Sequence, residues 1–225
     1  KASGELKSKP TQHSVMKLRE IGLSPDLILC RSEFSIEQSV RDKIALFCNV
    51  PSNHVIEGRD VSSIYEVPLA IYRQNAGQLI KDRLKIKKTP QLGTLKKFIK
   101  NYKNPKHEVA IAMCGKYTEL IDSYKSVMEA FVHAGVENNA RVNIKWIQTE
   151  KIKNLKDVEK VFPNINGVLI LPGFGSRGSE GKIKIVKYSR ENKVPFLGIC
   201  LGLQVMMRES EESVGTSGLG IIDGI

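Results

Sequence analysis

The residues best suited to chemistry lie in VPFLGICLGLQ (residues 194–204), where an apolar run meets Cys200 and Gly198 and Gly202 flank it as Gly-x-Cys-x-Gly. Glycines at those two places leave room for a sharp strand-to-helix turn that lifts a nucleophile above a sheet, here with sulfur in place of oxygen. The amino end of a following helix favours a thiolate, and the Leu201 amide is placed to donate to a developing oxyanion. A buried structural cysteine is the plain alternative, because free cysteine is among the most buried residue types. The paired glycines favour the nucleophile. A second glycine-rich turn, LPGFGSRG (171–178), ends the preceding apolar run. Sites in parallel sheets form at the carboxyl ends of strands, so this turn is expected beside Cys200, with Gly173 either a second oxyanion donor or part of a simple tight turn. It has no Gly-Lys-Ser/Thr and is therefore not a phosphate-binding P-loop.

A third constellation, KSKPTQHS (7–14), sits near the amino terminus. Lys7 and Lys9 fall on one side of a segment that Pro10 is expected to keep extended. Two ammonium groups so placed can clamp a phosphate chain, with Gln12 reading a base or ribose edge; the alternative is a pair of solvated lysines. His13, His54, His107 and His133 read as packing or surface residues, no metal site is expected, and none of the four follows Cys200.

The elements that must position these groups form an α/β pattern. VMKLREIGL reads as a helix, DLILC as a buried strand, Ser35 as the cap of SIEQSVRDKIALF, and HVIEG as a short strand. Pro68 suits the first turn of a helix running to about Arg83. Farther on, VAIAMC and VNIKWI read as strands, with a helix capped by Asp122 and closed by Gly135 between them. GVLIL and VPFLGI are continuous apolar runs, as in a parallel sheet covered on both faces, joined by a helix over residues 179–192.

Ten bases against one acid lie between Lys81 and Lys106, so that stretch carries +9 of the net +11. With no aromatic ladder to stack bases, it reads as a solvated linker or a surface for an acidic partner rather than a nucleic-acid site. No apolar run is long enough to span a membrane. The four cysteines show no C-x-x-C spacing, which points to a reduced, cytoplasmic protein. The opening KASGELKSKP has no apolar signal core and reads as a chain entered midway.

Seven segments in order, KPTQHSV, PDLILCRS, KIALFCNVP, DVSSIYEVP, GKYTELIDSYKSV, PGFGSRGSEGKI and VPFLGICLG, resemble the CTP synthase family, most like its archaeal forms, over about residues 4–205. The resemblance implies the end of a P-loop-type synthetase domain (1–80), a basic interdomain linker (81–106) and the front of a flavodoxin-like class I glutaminase domain with a parallel sheet (107–225). It implies ATP- and Mg2+-dependent amination of UTP to CTP with ammonia from glutamine, in a homodimer or homotetramer built through the synthetase domain. Lys7, Ser8, Lys9, Pro10, Thr11, Gln12 and Lys43 are implied at the UTP site that CTP also occupies, and Arg59, Asp60 and Val61 at ATP. Cys200 matches the nucleophile, Gly173 and Leu201 the oxyanion hole, and Gly173, Leu201, Gly202, Leu203 and Gln204 the glutamine-binding segments. The tail RESEESVGTSGLGIIDGI is similar instead to that of the glutaminase subunit of imidazole glycerol phosphate synthase, which makes Glu212 the implied grip on the substrate ammonium. The family's P-loop, its magnesium carboxylates and the His and Glu downstream of its nucleophile have no counterpart in this sequence, so the chain by itself is expected to lack parts needed for activity. A free-standing glutaminase subunit and a non-catalytic nucleotide-binding module are the alternative readings.

Overall fold

Parallel strand pairing organises both halves of the chain in a computed structural model that describes residues 6–116, 118–173, 178–204, 206–207 and 219–220. The chain divides into two units, Lys1–Ile99 and Lys100–Ile225.

In the first unit, α1 (Lys9–Glu20), β1 (Ile28–Ser32), α2 (Gln38–Cys48) and β2 (Val55–Arg59) surround one small core. β1 and β2 run parallel from Ile28 opposite Val55 to Ser32 opposite Arg59. Val15 of α1, Ile28 and Cys30 of β1, Ile44 and Cys48 of α2 and Val55 of β2 meet in that core. The extended segment expected around Pro10 is instead the first turn of α1. Proline's missing N–H has no intrahelical partner in a first turn, so Pro10 starts the helix rather than preventing it. Ser35 does not cap α2 either. The cap is Glu37, and the Ser35 hydroxyl donates to the Glu57 carboxylate at 3.3 Å.

That carboxylate is the centre of a polar network. The Ile36 N–H donates to Glu57 at 3.0 Å and the Arg41 guanidinium at 2.9 Å, while the Gln74 amide accepts the Glu57 N–H at 2.8 Å and donates to its carbonyl at 2.7 Å. Both ionic side chains are largely buried. Removing one partner of such a pair strands the other charge. Arg41→Met is therefore expected to destabilise the unit by about 3 kcal/mol in urea denaturation. Breaking the exposed Arg31–Asp60 pair by Arg31→Ala should move the midpoint little.

The single helix expected from Pro68 to Arg83 is two, α3 (Val67–Tyr72) and α4 (Ala76–Leu84), broken where Asn75 turns to φ 64°. Asparagine tolerates that left-handed conformation better than most residues. The basic stretch contains a further helix, α5 (Gly93–Lys103), through which the division between units runs. Leu95, Phe98, Ile99 and Tyr102 follow the i, i+3, i+4, i+7 spacing of a helix face. Phe98 packs edge-on against Tyr65 with centroids 4.7 Å apart.

The second unit carries β3 (His107–Gly115), α6 (Lys125–Glu137), β4 (Ala140–Gln148), α7 (Leu155–Val161), β5 (Gly167–Ile170), α8 (Ser179–Glu191), β6 (Phe196–Gly198) and the single turn α9 (Leu201–Gln204). Its sheet is parallel throughout, in the order β4-β3-β5-β6. This is the doubly wound, flavodoxin-like order, in which the chain reverses direction across the sheet between β3 and β5. Alternation along the strands separates two faces. Ala112, Cys114, Val168 and Ile170 meet Val158 and Ile185 from the α7 and α8 side, whereas Met113, Leu169 and Leu171 meet Tyr124 and Phe131 from the α6 side. On that second face Trp146 of β4 lies 5.7 Å from the Tyr124 ring.

Two expectations fail here for physical reasons. Asp122 falls in a 3-10 turn, Ile121–Tyr124, and Tyr124 holds the cap position of α6. Gly135 does not end α6 but lies inside it, where an added Cβ would sit 2.5 Å from the Ala140 carbonyl oxygen. It is a glycine for close approach of helix to strand. Between β4 and β5 the chain adds α7, whose start is marked by a reciprocal capping box between Asn154 and Asp157.

Candidate active site

Cys200 stands one residue beyond the short strand β6 and immediately before α9, with a backbone φ of 55°. A side chain other than glycine is strained there by ~1–2 kcal/mol, and that strain is the mark of a nucleophile elbow. The elbow is held from both sides. The Ile199 N–H donates to the Ile170 carbonyl at 3.1 Å, and the Cys200 carbonyl accepts the Leu203 and Gln204 N–H groups at 2.8 and 3.2 Å. A Cβ at Gly198 would overlap the Gly202 backbone, and one at Gly202 would lie 2.8 Å from the Ile170 carbonyl oxygen. Both glycines are thus demanded by close packing of strand against turn. Cys200 is exposed, whereas Cys30, Cys48 and Cys114 are buried.

The other expected residues of this unit gather at the same edge. Gly173 follows β5, and Gly202, Leu203 and Gln204 lie in the turn after Cys200. Leu201 begins α9. Glu212 lies outside the described residues. Two lysines not singled out by sequence join the group. A Cβ at Gly173 would lie 3.7 Å from both the Lys116 side chain and the Lys182 ammonium. Lys116 follows β3, so the three strand ends flanking the reversal point contribute together. Lys182, on α8, is fully buried, and its Nζ donates to the Leu171 carbonyl at 2.8 Å.

Histidines are not brought to this edge within the second unit. His107 opens β3 at the opposite end of the sheet. His133 lies in the last turns of α6, two residues before Gly135, which abuts Ala140 at the start of β4.

In the first unit, Lys7 and Ser8 precede α1, whose first turns hold Lys9, Pro10, Thr11 and Gln12. Ser8 is buried and accepts a hydrogen bond from the Gln12 amide at 3.0 Å, so Gln12 is engaged within its own helix. Thr11 reaches the Cys30 thiol of β1. Arg59 ends β2; the Asp60 N–H donates to the Ser32 carbonyl at 3.1 Å, which brings residues 59–61 to the carboxyl ends of both strands. Lys43 is exposed on α2. Among the described residues no three His, Cys, Asp or Glu side chains converge to hold a metal ion.

Residues 1–86 match the CTP synthase N-terminus, and residues 119–222 match the class-I glutamine amidotransferases, a match that runs through the divergent tail. The doubly wound parallel sheet thus lies in a class-I glutamine amidotransferase segment, behind a segment of the CTP synthase N-terminal type. A CTP synthase of Caldanaerobacter subterraneus subsp. tengcongensis is 48% identical over 213 residues, 94% of this chain and 40% of that protein. One of Methanocaldococcus jannaschii is 46% identical over 220 residues, 95% of this chain and 41% of that protein. The chain belongs to the CTP synthase family and spans about two-fifths of the length of the curated relatives it matches. The glutaminase domain of the Trypanosoma brucei CTPS, solved with bound acivicin, is 31% identical with a TM-score of 0.40, covering 43% of this chain and 38% of that one. No helix among the described residues is long and apolar enough to cross a membrane.

Proposed function

We propose that this chain serves the ATP-dependent amination of UTP to CTP with ammonia drawn from glutamine. The observation that carries the reading is the exposed Cys200 on a strained elbow, at the strand ends of a class-I glutamine amidotransferase segment joined to a CTP synthase segment. The Cys200 thiolate adds to the amide carbon of glutamine. The C–N bond then breaks, nitrogen takes a proton and leaves as ammonia, and water hydrolyses the remaining thioester to glutamate and free thiol. The Gly173 and Leu201 amides donate to the oxyanion formed in each half, Gly202, Leu203 and Gln204 shape the glutamine pocket, and Glu212 grips the substrate ammonium. Ammonia displaces phosphate at C4 of UTP that ATP has phosphorylated on O4.

In this reading Lys7, Lys9 and Lys43 hold the phosphates of UTP or of the product CTP, Ser8, Pro10, Thr11 and Gln12 form the adjoining loop and helix start, and the backbone of Arg59, Asp60 and Val61 lies along ATP. His107 and His133 stand away from Cys200, so deacylation by this chain is expected to be slow. Free thiols at all four cysteines support a reducing, cytoplasmic setting. Assembly as a homodimer or homotetramer through the synthetase segment is supported by the exposed apolar side chains of Phe34, Leu46 and Phe47.

Two measurements test the proposal. Glutamine should protect Cys200 from alkylation by iodoacetamide. UTP binding followed by calorimetry should weaken by roughly 1.5–3 kcal/mol in Lys9→Ala, the value of a charge-assisted hydrogen bond. Cys200 alkylation indifferent to glutamine, together with UTP affinity unchanged in Lys9→Ala and Lys43→Ala, would overturn it.

A further inference from the structure

Lys182 is a buried cation for which the reaction above has no use. Its burial has a local cause in the glycines of GSEGK (178–182). A Cβ at Gly181 would overlap the Thr149 carbonyl, and one at Gly178 would lie 2.7 Å from the Thr149 hydroxyl. α8 therefore approaches the 3-10 turn Thr149–Lys151 closely enough to sink the next side chain between helix and sheet. An ammonium taken out of water is costly unless something at its end repays the loss of solvent. What stands there is the Leu171 carbonyl, the last before Pro172 and Gly173.

We propose that Lys182 is a positioning residue of the Cys200 centre: its ammonium clamps the Leu171 carbonyl, thereby aims the Gly173 N–H, and sets a buried positive charge beside the nucleophile. The mechanical part follows from backbone geometry. A peptide unit is planar, so holding the Leu171 oxygen holds the whole Leu171–Pro172 unit. The pyrrolidine ring then fixes φ of Pro172, and a single soft dihedral, ψ of Pro172, remains between the clamp and the Gly173 amide. The neighbouring carbonyl of Ile170 accepts the Ile199 N–H, which ties the same strand end to the elbow itself.

The electrical part concerns the groups that face Lys182 among the described residues: Lys116 after β3, Cys114 within β3 and Cys200. Burial first, then the Lys116 ammonium, push the Lys182 ammonium down to about 8, while Cys200 and Cys114 act in the opposite direction. Lys182 is therefore charged at neutral pH and loses its charge as the pH rises through about 8.

The inference rests on the reading of Cys200 as a glutaminase nucleophile, and its test separates the two. Cys200 is alkylated in parallel by anionic iodoacetate and neutral iodoacetamide, each followed by peptide mass spectrometry from pH 6.5 to 9.5. The ratio of the two rates cancels the thiolate fraction and reports the charge felt at the sulfur. In the unaltered chain the ratio is expected to fall by about threefold or more as the pH passes 8, as expected when one nearby charge is lost. Lys182→Met should have the lower ratio at pH 7 and no step. Lys116→Met should move the step to higher pH, because it removes a repulsion that favours the neutral amine. A ratio in the unaltered chain that does not change across pH 8 overturns the proposal without any variant, and so does a step that survives in Lys182→Met. Glutamine protection of Cys200 is read separately: its absence with the step intact overturns the glutaminase reading alone.

Discussion

Under native conditions Cys200 will react with iodoacetamide at least about a hundredfold faster than Cys30, Cys48 or Cys114, followed peptide by peptide over time. A buried thiol reacts only when the surrounding structure opens, and an opening free energy of ~3 kcal/mol corresponds to about a hundredfold in rate. Cys114 lies next to the last residue of β3 at 0% exposure, and burial drives its thiol far above the usual range. Burial also raises Cys30 and Cys48, against the opposing contacts of Thr11 and Arg19. Cys200 has none of this cover. Labelling shared evenly among the four would mean that the elbow does not form, and with it the case for a nucleophile would go.

Gly198→Ala is expected to cost the second unit at least about 3 kcal/mol, read as a lowered urea midpoint by circular dichroism, and to erase the labelling advantage of Cys200. Its methyl group would meet the Gly202 carbonyl carbon and oxygen and come within 2.8 Å of the Leu203 nitrogen, all backbone atoms of the turn that follows. Backbone cannot swing aside as a flexible side chain does, so the strand end or the turn must move, and overpacking of this severity belongs with the large single-residue effects. Gly93→Ala is the matching control, since nothing lies within 4 Å of a Cβ there. A Gly198→Ala chain with an unchanged midpoint would show that the strand and the turn are not packed in this way.

The elbow was legible in sequence because its requirement is local: strand, glycine, cysteine and glycine are contiguous, and each restricts the next. Lys182 was not. A lysine on a helix reads as solvated, and only the approach of α8 to Thr149, set by Gly181 across some thirty intervening residues, buries it. Gly135 was misread for a related reason: glycine serves both helix termination and close approach, and the deciding neighbour, Ala140, belongs to another element. Pro10 shows the same ambiguity within one turn, since it excludes a helix interior yet suits a helix start. The helix α5 was hidden by charge. Its lysines dominate the composition, while the apolar face of Leu95, Phe98, Ile99 and Tyr102 is narrow.

Trp146 is the chain's sole tryptophan, and it lies on β4 against Tyr124, wholly within the second unit. Intrinsic emission excited at the red edge, where tyrosine is dark, therefore originates from the glutaminase-like half alone. The synthetase-like half is spectroscopically silent in that channel. The molecule thus carries its own fluorescent label on one of its two folding units, and heating it observes the melting of that unit without any contribution from the other.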